Sequence, residues 1–240
     1  MKKFVLSIVY VIALVLALCA CGDSGTTKNE KKEKADKEEN SAESAITLKK
    51  DGSVESKLSA DGFGADYSED GIKNLIDTSI SGYQKLSASS EIKLKNCKKD
   101  SQDKLVVEMT FNDSAAYAGW NNYLLDYLYA SESGMDSSGI ENNTEGFFAG
   151  TISDAYTAGY GLEFTLTAVS DKNSKQSVTK SDLLSMGDTH IVILSRFDDD
   201  EPIVVNCYNE ILYIGDGVTV TGKKSATVDA MDGYGIIVFQ

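Results

Sequence analysis

The residue with the clearest potential for covalent chemistry is Cys21, which stands at the end of a long apolar run. Two lysines precede that run, and residues 4–20 are apolar apart from one serine and one tyrosine. A positive start, an apolar middle and small residues at the end are typical of a secretory signal peptide. A membrane-spanning helix needs roughly 20 apolar residues, and this run is slightly shorter. A plain signal peptide and an uncleaved N-terminal helix are the alternatives.

The end of the run resembles a bacterial lipobox, with Leu18, Cys19 and Ala20 before Cys21. The resemblance implies transfer of diacylglycerol to the Cys21 thiol, cleavage before that residue and, in some bacteria, acylation of the new amino group. Cys19 fits less well because Leu18 would then precede the cut, where a small residue is required. Two or three acyl chains anchor a protein durably, whereas one does so only marginally. We therefore predict a signal peptide over residues 1–20 and a lipid on Cys21.

Few other residues suggest catalysis. His190 is the only histidine, so a histidine-based triad would need it as the base. Ser101 to Lys104 and Ser177 to Lys180 match Ser-x-x-Lys, but the companion motifs of penicillin-binding enzymes are missing. We predict a non-enzymatic protein. A hydrolase that uses paired carboxylates stays open, because the separation of two carboxylates is visible only in three dimensions.

Metal-binding chemistry is equally weak in the sequence. The best candidate for a metal site is a partial match to a calcium-binding loop, formed by Asp66, Ser68, Asp70 and Asp77. Lys73 stands where such a loop needs a hydrophobic residue, and the acidic run at 198–201 is typical of a solvated turn. We predict no metal and no cofactor.

Two cysteines, Cys97 and Cys207, lie beyond the signal region in strand-like stretches. A disulfide between them is allowed outside the cytoplasm, but pairing cannot be inferred from spacing. The alternative is two ordinary half-buried thiols.

The net charge of −14 limits the partners. The positive charge of the signal and the negative charge of residues 22–45 cancel, so the whole net negative charge lies on the domain that follows. Such a charge argues against binding nucleic acid and against docking flat on anionic lipid. The lipid anchor would make the membrane one partner, and a cell-wall component or a membrane protein is the expected second one.

The charged segment 21–45, which carries the lipidated cysteine, has no large apolar residue after its first position and should be a disordered tether. The domain then occupies 46–240. A hairpin is predicted from strands at 46–48 and 54–58 around an Asp-Gly turn. Apolar spacing predicts a helix over about 69–86, capped by Ser68, and alternation predicts strands near 92–95 and 105–111.

A second helix is predicted over about 114–130, capped by Asn112 or Asp113. One stripe of this helix is apolar and aromatic, which indicates core more than a sugar-stacking platform: Ala116, Tyr117, Trp120, Tyr123, Leu124, Tyr127 and Leu128. Leu125 and Tyr129 lie off the stripe and could form an exposed contact. The polar loop 131–146 is the expected subdomain seam or binding loop.

The second half is mostly strand. Residues 162–168 alternate as a half-buried strand, residues 191–194 are typical of a central strand covered on both faces, and further strands are predicted near 203–207, 211–214, 218–221 and 235–239. Short helical segments are expected near 153–158 and 179–186. Strands and long helices do not alternate, so we predict an α+β fold with antiparallel strands, two main amphipathic helices in the N-terminal half and a mostly β C-terminal half.

Several short sequence segments along the domain resemble those of a group of small secreted lipoproteins of Firmicutes, mainly gut clostridia. They occur at 46–54, 113–117, 148–151, 211–214 and 222–228. The resemblance implies a Gram-positive surface location and an α+β fold, and it brings no catalytic residues.

Together these features predict a lipid-anchored protein outside the cell membrane that binds a wall component, a solute or a membrane partner. The alternatives are a cell-surface hydrolase and a structural or assembly lipoprotein.

Overall fold

The computed structural model of this chain describes residues 43–60, 68–133, 141, 144–170, 175–196, 201–229 and 231–240. The predicted signal peptide, Cys21 and nearly all of the predicted tether lie outside these residues. No helix of the described part is both long and apolar enough to cross a membrane.

The described residues form thirteen strands and four helices, which confirms the α+β class. The helices are α1 (Glu69–Leu86), α2 (Ser114–Ser133), α3 (Ile152–Thr157) and α4 (Lys180–Ser185). The first seven strands are β1 (Ala45–Leu48), β2 (Val54–Ala60), β3 (Ile92–Lys99), β4 (Leu105–Phe111), β5 (Phe147–Thr151), β6 (Phe164–Ala168) and β7 (Lys175–Val178). The others are β8 (His190–Arg196), β9 (Ile203–Asn206), β10 (Ile211–Ile214), β11 (Val218–Gly222), β12 (Ser225–Val228) and β13 (Gly233–Phe239).

Two sheets hold these strands. The first sheet has the order β11-β12-β9-β1-β2-β4-β3, and the second has the order β5-β8-β13-β10-β6-β7. The pairing of β1 with β9 is parallel, with Thr47 opposite Asn206. The first sheet takes four strands from before residues 131–146 and three from after them, so the predicted seam does not separate one sheet from the other.

The sheet begins slightly before the predicted domain boundary at residue 46. The Ser44 hydroxyl accepts a hydrogen bond from the Ser59 amide at 3.1 Å, and the Ser44 carbonyl accepts one from the Val204 amide at 3.0 Å. These bonds extend the sheet contacts to Ser44. The sequence did not predict this because hydrogen bonds of a serine leave no pattern of apolar residues.

One continuous core joins the inner faces of both sheets with α1 and α2. Ile46, Leu105, Trp120, Leu194 and Ile237 are all buried members of it. A smaller core lies on the other face of the second sheet, beneath α3 and α4. The second sheet is therefore covered on both faces, which explains why residues 191–194 are apolar without alternation.

The two long helices begin as predicted. The Ser68 hydroxyl accepts from the Gly71 amide at 3.1 Å, and Asp113 Oδ1 accepts from the Ala116 amide at 2.7 Å. Each cap satisfies one of the amides that the first turn leaves without a helical partner.

The predicted stripe of α2 is buried as far as Leu124, but Tyr127 is 38% exposed. The prediction was wrong for Tyr127, whose ring stacks on Tyr123 with centroids 5.9 Å apart and keeps one side open to solvent, although Ala130 further along the helix is buried. Asn121 and Asn122 are buried off the stripe, and Asn121 donates to the Tyr117 carbonyl at 2.8 Å. Leu125 is half-buried, and the side chains of Leu128 and Tyr129 lie outside the description.

An unpredicted buried charge lies at the end of β8. Arg196 is 0% exposed, and its guanidinium donates to the backbone carbonyls of Glu201 and Asp229. Hydrogen bonds from a charged group to carbonyls are a usual way to bury an arginine. These bonds connect the end of β8 to the residues just before β9 and just after β12.

Candidate ligand-binding site

Two concave surfaces of the described residues are large enough for a small ligand. One is a groove of about 690 Å³ on the outer face of the first sheet, and the other is a pocket of about 600 Å³ at one end of the second sheet. Ligand sites commonly have volumes of about 300–1,000 Å³, and both surfaces fall within that range.

The sheet groove is polar and presents both signs of charge. Lys57 on β2 stands opposite Glu108 on β4, and Glu55 stands opposite Thr110. Lys49 forms an ion pair with Glu55 at 2.7 Å. Because these charges already face opposite charges, the groove does not select strongly for an anion or a cation.

Two carboxylates of this groove, Glu55 and Glu108, are diagonal neighbours on adjacent strands. The backbones of diagonal cross-strand neighbours are about 7–8 Å apart. Inverting glycosidases place their carboxyl groups roughly 6.5–9.5 Å apart, a separation that two glutamate side chains on such positions can reach, so this pair is the candidate for the hydrolase alternative.

The pocket at the end of the second sheet is aromatic. We call it the tyrosine pocket. Five of its lining residues carry an aromatic ring or a charge: Glu145, Phe148, Tyr160, Phe164 and Tyr234. The Phe148 and Tyr160 ring centroids lie 5.4 Å apart at an interplanar angle of 51°. Tyr234 is 53% exposed, so one ring of the pocket is open to a ligand.

Each of the two tyrosines is flanked by glycines, in the repeated sequence Gly-Tyr-Gly at 159–161 and 233–235. Gly159 has a φ of +90°, a conformation that other residues rarely adopt, and it ends the turn after α3. Gly235 packs against Val228 of the other sheet, where a Cβ would collide with the valine side chain. Turn geometry thus explains the glycine next to Tyr160, and sheet packing explains the glycine next to Tyr234.

The polar rim of the tyrosine pocket comes from the end of the predicted binding loop. Thr144, Glu145 and Gly146 line it together with the first two residues of α2. Asn122 donates to the Glu145 carbonyl at 3.0 Å, and the Gly146 carbonyl accepts from the Ser195 amide at 2.8 Å. The rim is therefore attached to α2 and to β8.

Charge and burial act together on Tyr160. Burial raises the pKa of its hydroxyl, and the neighbouring Tyr234 and Glu145 raise that pKa further. A tyrosine hydroxyl is protonated at neutral pH even without this shift, so it can donate a hydrogen bond from within the pocket.

The cysteines predicted as a possible disulfide are both free thiols. Cys97 lies on the edge strand β3, and Cys207 follows β9. Strands β1, β2 and β4 stand between β9 and β3 in the sheet. Adjacent strands are about 4.8 Å apart, whereas bonded cysteines need Cα atoms within about 7 Å. The fold thus keeps the two cysteines apart.

His190 takes part in aromatic packing. Its ring stacks on Phe239 with centroids 5.4 Å apart and meets Tyr208 edge-on at 5.4 Å. Its Nδ1 atom is buried without a hydrogen-bond partner in the described structure, so no carboxylate there orients it as a triad would require.

The remaining sequence candidates in the described part of the chain line neither concave surface. Lys180 lies 3.7 Å above the ring centre of Tyr156, and Ser101 is exposed in the turn that Asp100 stabilises. Ser68 caps α1, and Asp70 and Asp77 are exposed on that helix, while Asp66 and the run 198–200 lie outside the described residues. The part of the chain that the structure describes contains no metal-type cluster of acidic, cysteine or histidine residues.

The sequence predictions did not single out the tyrosine pocket, although its loop was expected to bind. The repeated Gly-Tyr-Gly word could have indicated it, because a tyrosine between glycines has little local packing. Comparison with protein-family models, curated proteins and solved structures finds no match to this chain.

Proposed function

We propose that this protein is a lipid-anchored, non-enzymatic binding module on the outside of the cell membrane, and that the tyrosine pocket is its ligand site. The observation that carries the proposal is the convergence of both Gly-Tyr-Gly segments on one pocket, with Glu145 at its rim.

Several properties support binding at this pocket. Ligand sites are typically concave, largely apolar and provided with a few polar groups. The tyrosine pocket combines ring faces with phenol hydroxyls and one carboxylate. Its rings and rim belong to strand ends and short turns that a rigid sheet supports, as is common for binding residues.

A binding measurement tests the proposal. The full-length lipidated chain in detergent is incubated with wall and membrane extracts, and retained solutes and wall fragments are quantified by mass spectrometry. We expect Tyr160→Leu and Tyr234→Leu to reduce retention. The control is Tyr156→Leu, because Tyr156 is 47% exposed on α3 and does not line the pocket. Equal retention by all variants would refute the proposed site.

The anchor is tested separately. We expect radiolabelled palmitate to enter the wild-type chain and Cys19→Ala, and to be lost from Cys21→Ala. Labelling that persists in Cys21→Ala would show that another residue carries the lipid.

The second candidate function is hydrolysis of a wall glycan in the sheet groove, which the diagonal spacing of Glu55 and Glu108 favours. Glu108→Gln should then abolish release of reducing sugar from purified wall, while Glu91→Gln, on an exposed side chain outside the groove, should not. Hydrolysis unaffected by Glu108→Gln would exclude this role for the pair.

A structural or assembly role has less support, since it would need an extended apolar surface. The exposed large hydrophobic residues of the described structure lie on five different elements.

A further inference from the structure

We propose that the tyrosine pocket binds a quaternary ammonium cation, held by the faces of its aromatic rings and by the Glu145 carboxylate. This inference rests on the proposed function, since it names the ligand class of the same site.

The first support is the charge of the chain that builds the pocket. Residues 105–171 contain ten acidic residues and no lysine, arginine or histidine. Twelve of the fourteen lining residues come from this segment, and the other two are Ile193 and Tyr234. An anionic ligand would therefore find no positive side chain among the described lining residues, whereas a cation would meet the carboxylate of Glu145, the one charged residue among them.

The second support is the character of the walls. The negative face of an aromatic ring attracts a cation that lies within about 6 Å of the ring centre, and quaternary ammonium groups are the usual ligands of such sites. Phe148, Phe164, Tyr160 and Tyr234 supply four rings.

The third support is the position of the carboxylate. Glu145 is exposed and lines the same pocket as Tyr160 and Tyr234. One carboxylate beside several rings suits a quaternary ammonium ion, which has no N–H to donate and is weakly hydrated. A hard metal ion would instead require several oxygen ligands.

The same chemistry could come from a free solute or from the headgroup of a membrane lipid. The probes are therefore choline chloride and vesicles of phosphatidylcholine, with phosphatidylglycerol vesicles as the comparison. The third probe is 3,3-dimethylbutan-1-ol, which has the shape of choline but carries a carbon in place of the charged nitrogen.

Titration calorimetry on the full-length chain in detergent gives the decisive comparison. We expect saturable choline binding that is at least about tenfold tighter than binding of the neutral isostere, as expected for a cation held by rings. Tyr234→Leu should weaken choline by about tenfold, whereas Tyr234→Phe should retain most of the affinity because it keeps the ring face. Glu145→Gln should weaken choline but leave the isostere unchanged, and Glu163→Gln serves as the carboxylate control outside the pocket.

Equal affinity for choline and the isostere, or no choline binding, would overturn this inference. If a neutral wall sugar binds instead and Tyr234→Leu abolishes that binding, the ligand class is wrong while the proposed site stands. If neither class of ligand responds to the tyrosine variants, the proposed function fails as well. If choline binds as expected, competition between free choline and phosphatidylcholine vesicles identifies whether the cation comes from a free solute or from a lipid headgroup.

Discussion

Asp113 connects the start of α2 to the neighbouring hairpin. Its Oδ1 accepts from the Ala116 amide at 2.7 Å, and its Oδ2 accepts from the Asn112 side chain at 3.0 Å. Asn112 in turn accepts from the Glu91 amide at 2.9 Å. The same helix start lines the tyrosine pocket, so this small network also holds one wall of the site.

We predict that Asp113→Ala lowers the free energy of unfolding by about 1–2 kcal/mol, the usual cost of losing a helix cap. Urea unfolding followed by circular dichroism measures the loss. Asp113→Asn is the matched control, because asparagine also caps helices and should cost much less. An alanine variant as stable as the wild type would show that the cap contributes nothing here.

The two thiols should differ from ordinary cysteines. Burial raises the pKa of Cys207 to about 12, and burial followed by the charge of Glu69 raises the pKa of Cys97. Because the thiolate is the reactive form, we predict that iodoacetamide modifies neither cysteine rapidly in the folded protein near pH 8, and modifies both after unfolding. Peptide mapping without reductant should find no linked pair. A 97–207 crosslink would contradict the strand order of the first sheet.

At the scale of elements, Gly82 lets α1 approach α2. A Cβ at this position would collide with the hydroxyl of Tyr123 and lie 3.3 Å from its Cζ atom. The rings of Tyr83 and Tyr123 are 5.7 Å apart at the same crossing. The close contact of the two helices therefore depends on a missing methyl group.

We predict that Gly82→Ala destabilises the protein by about 1 kcal/mol, since overpacking costs about 1–3 kcal/mol and better helix propensity returns about 1 kcal/mol. In a Tyr123→Phe background the hydroxyl is gone, so the same substitution should become neutral or stabilising. Denaturant midpoints of the four proteins complete the double-mutant cycle. An additive result would mean that the hydroxyl does not limit the approach.

Elements with strong local patterns were predictable from sequence, whereas their pairing was not. Helix α1 occupies residues 69–86 as predicted, because its apolar spacing and serine cap agree. Strands β7 and β12 were not predicted, since each has four residues and little apolar content. The parallel contact of β1 with β9 joins residues far apart in sequence, which periodicity does not report. The buried Arg196 was missed because its partners are backbone carbonyls.

At the scale of the whole molecule, the common core predicts one cooperative unit. Leu105 in the first sheet and Leu194 in the second are fully buried in the same cluster. We expect Leu105→Ala and Leu194→Ala each to cost about 2–5 kcal/mol and to lower one shared unfolding midpoint. Circular dichroism and the fluorescence of the single tryptophan should give coincident curves. Two separate transitions, each affected by one substitution, would instead indicate a division at residues 131–146.

The candidate site also belongs to this scale, since residues distant in sequence form it. Local patterns indicated a loop at 131–146 but could not show that Tyr160 and Tyr234 line one pocket with its end. Their convergence depends on the order β5-β8-β13-β10-β6 in the second sheet, which is a property of the complete fold.

Fluorine NMR of the chain labelled with 3-fluorotyrosine tests most directly whether the tyrosine pocket is the ligand site. Tyrosine-to-phenylalanine variants assign the resonances of Tyr160, Tyr234 and the control Tyr156. On titration with a wall and membrane extract, we predict saturable shifts of Tyr160 and Tyr234, with Tyr156 unchanged. Shifts confined to other tyrosines, or no shift at saturating extract, would contradict the account.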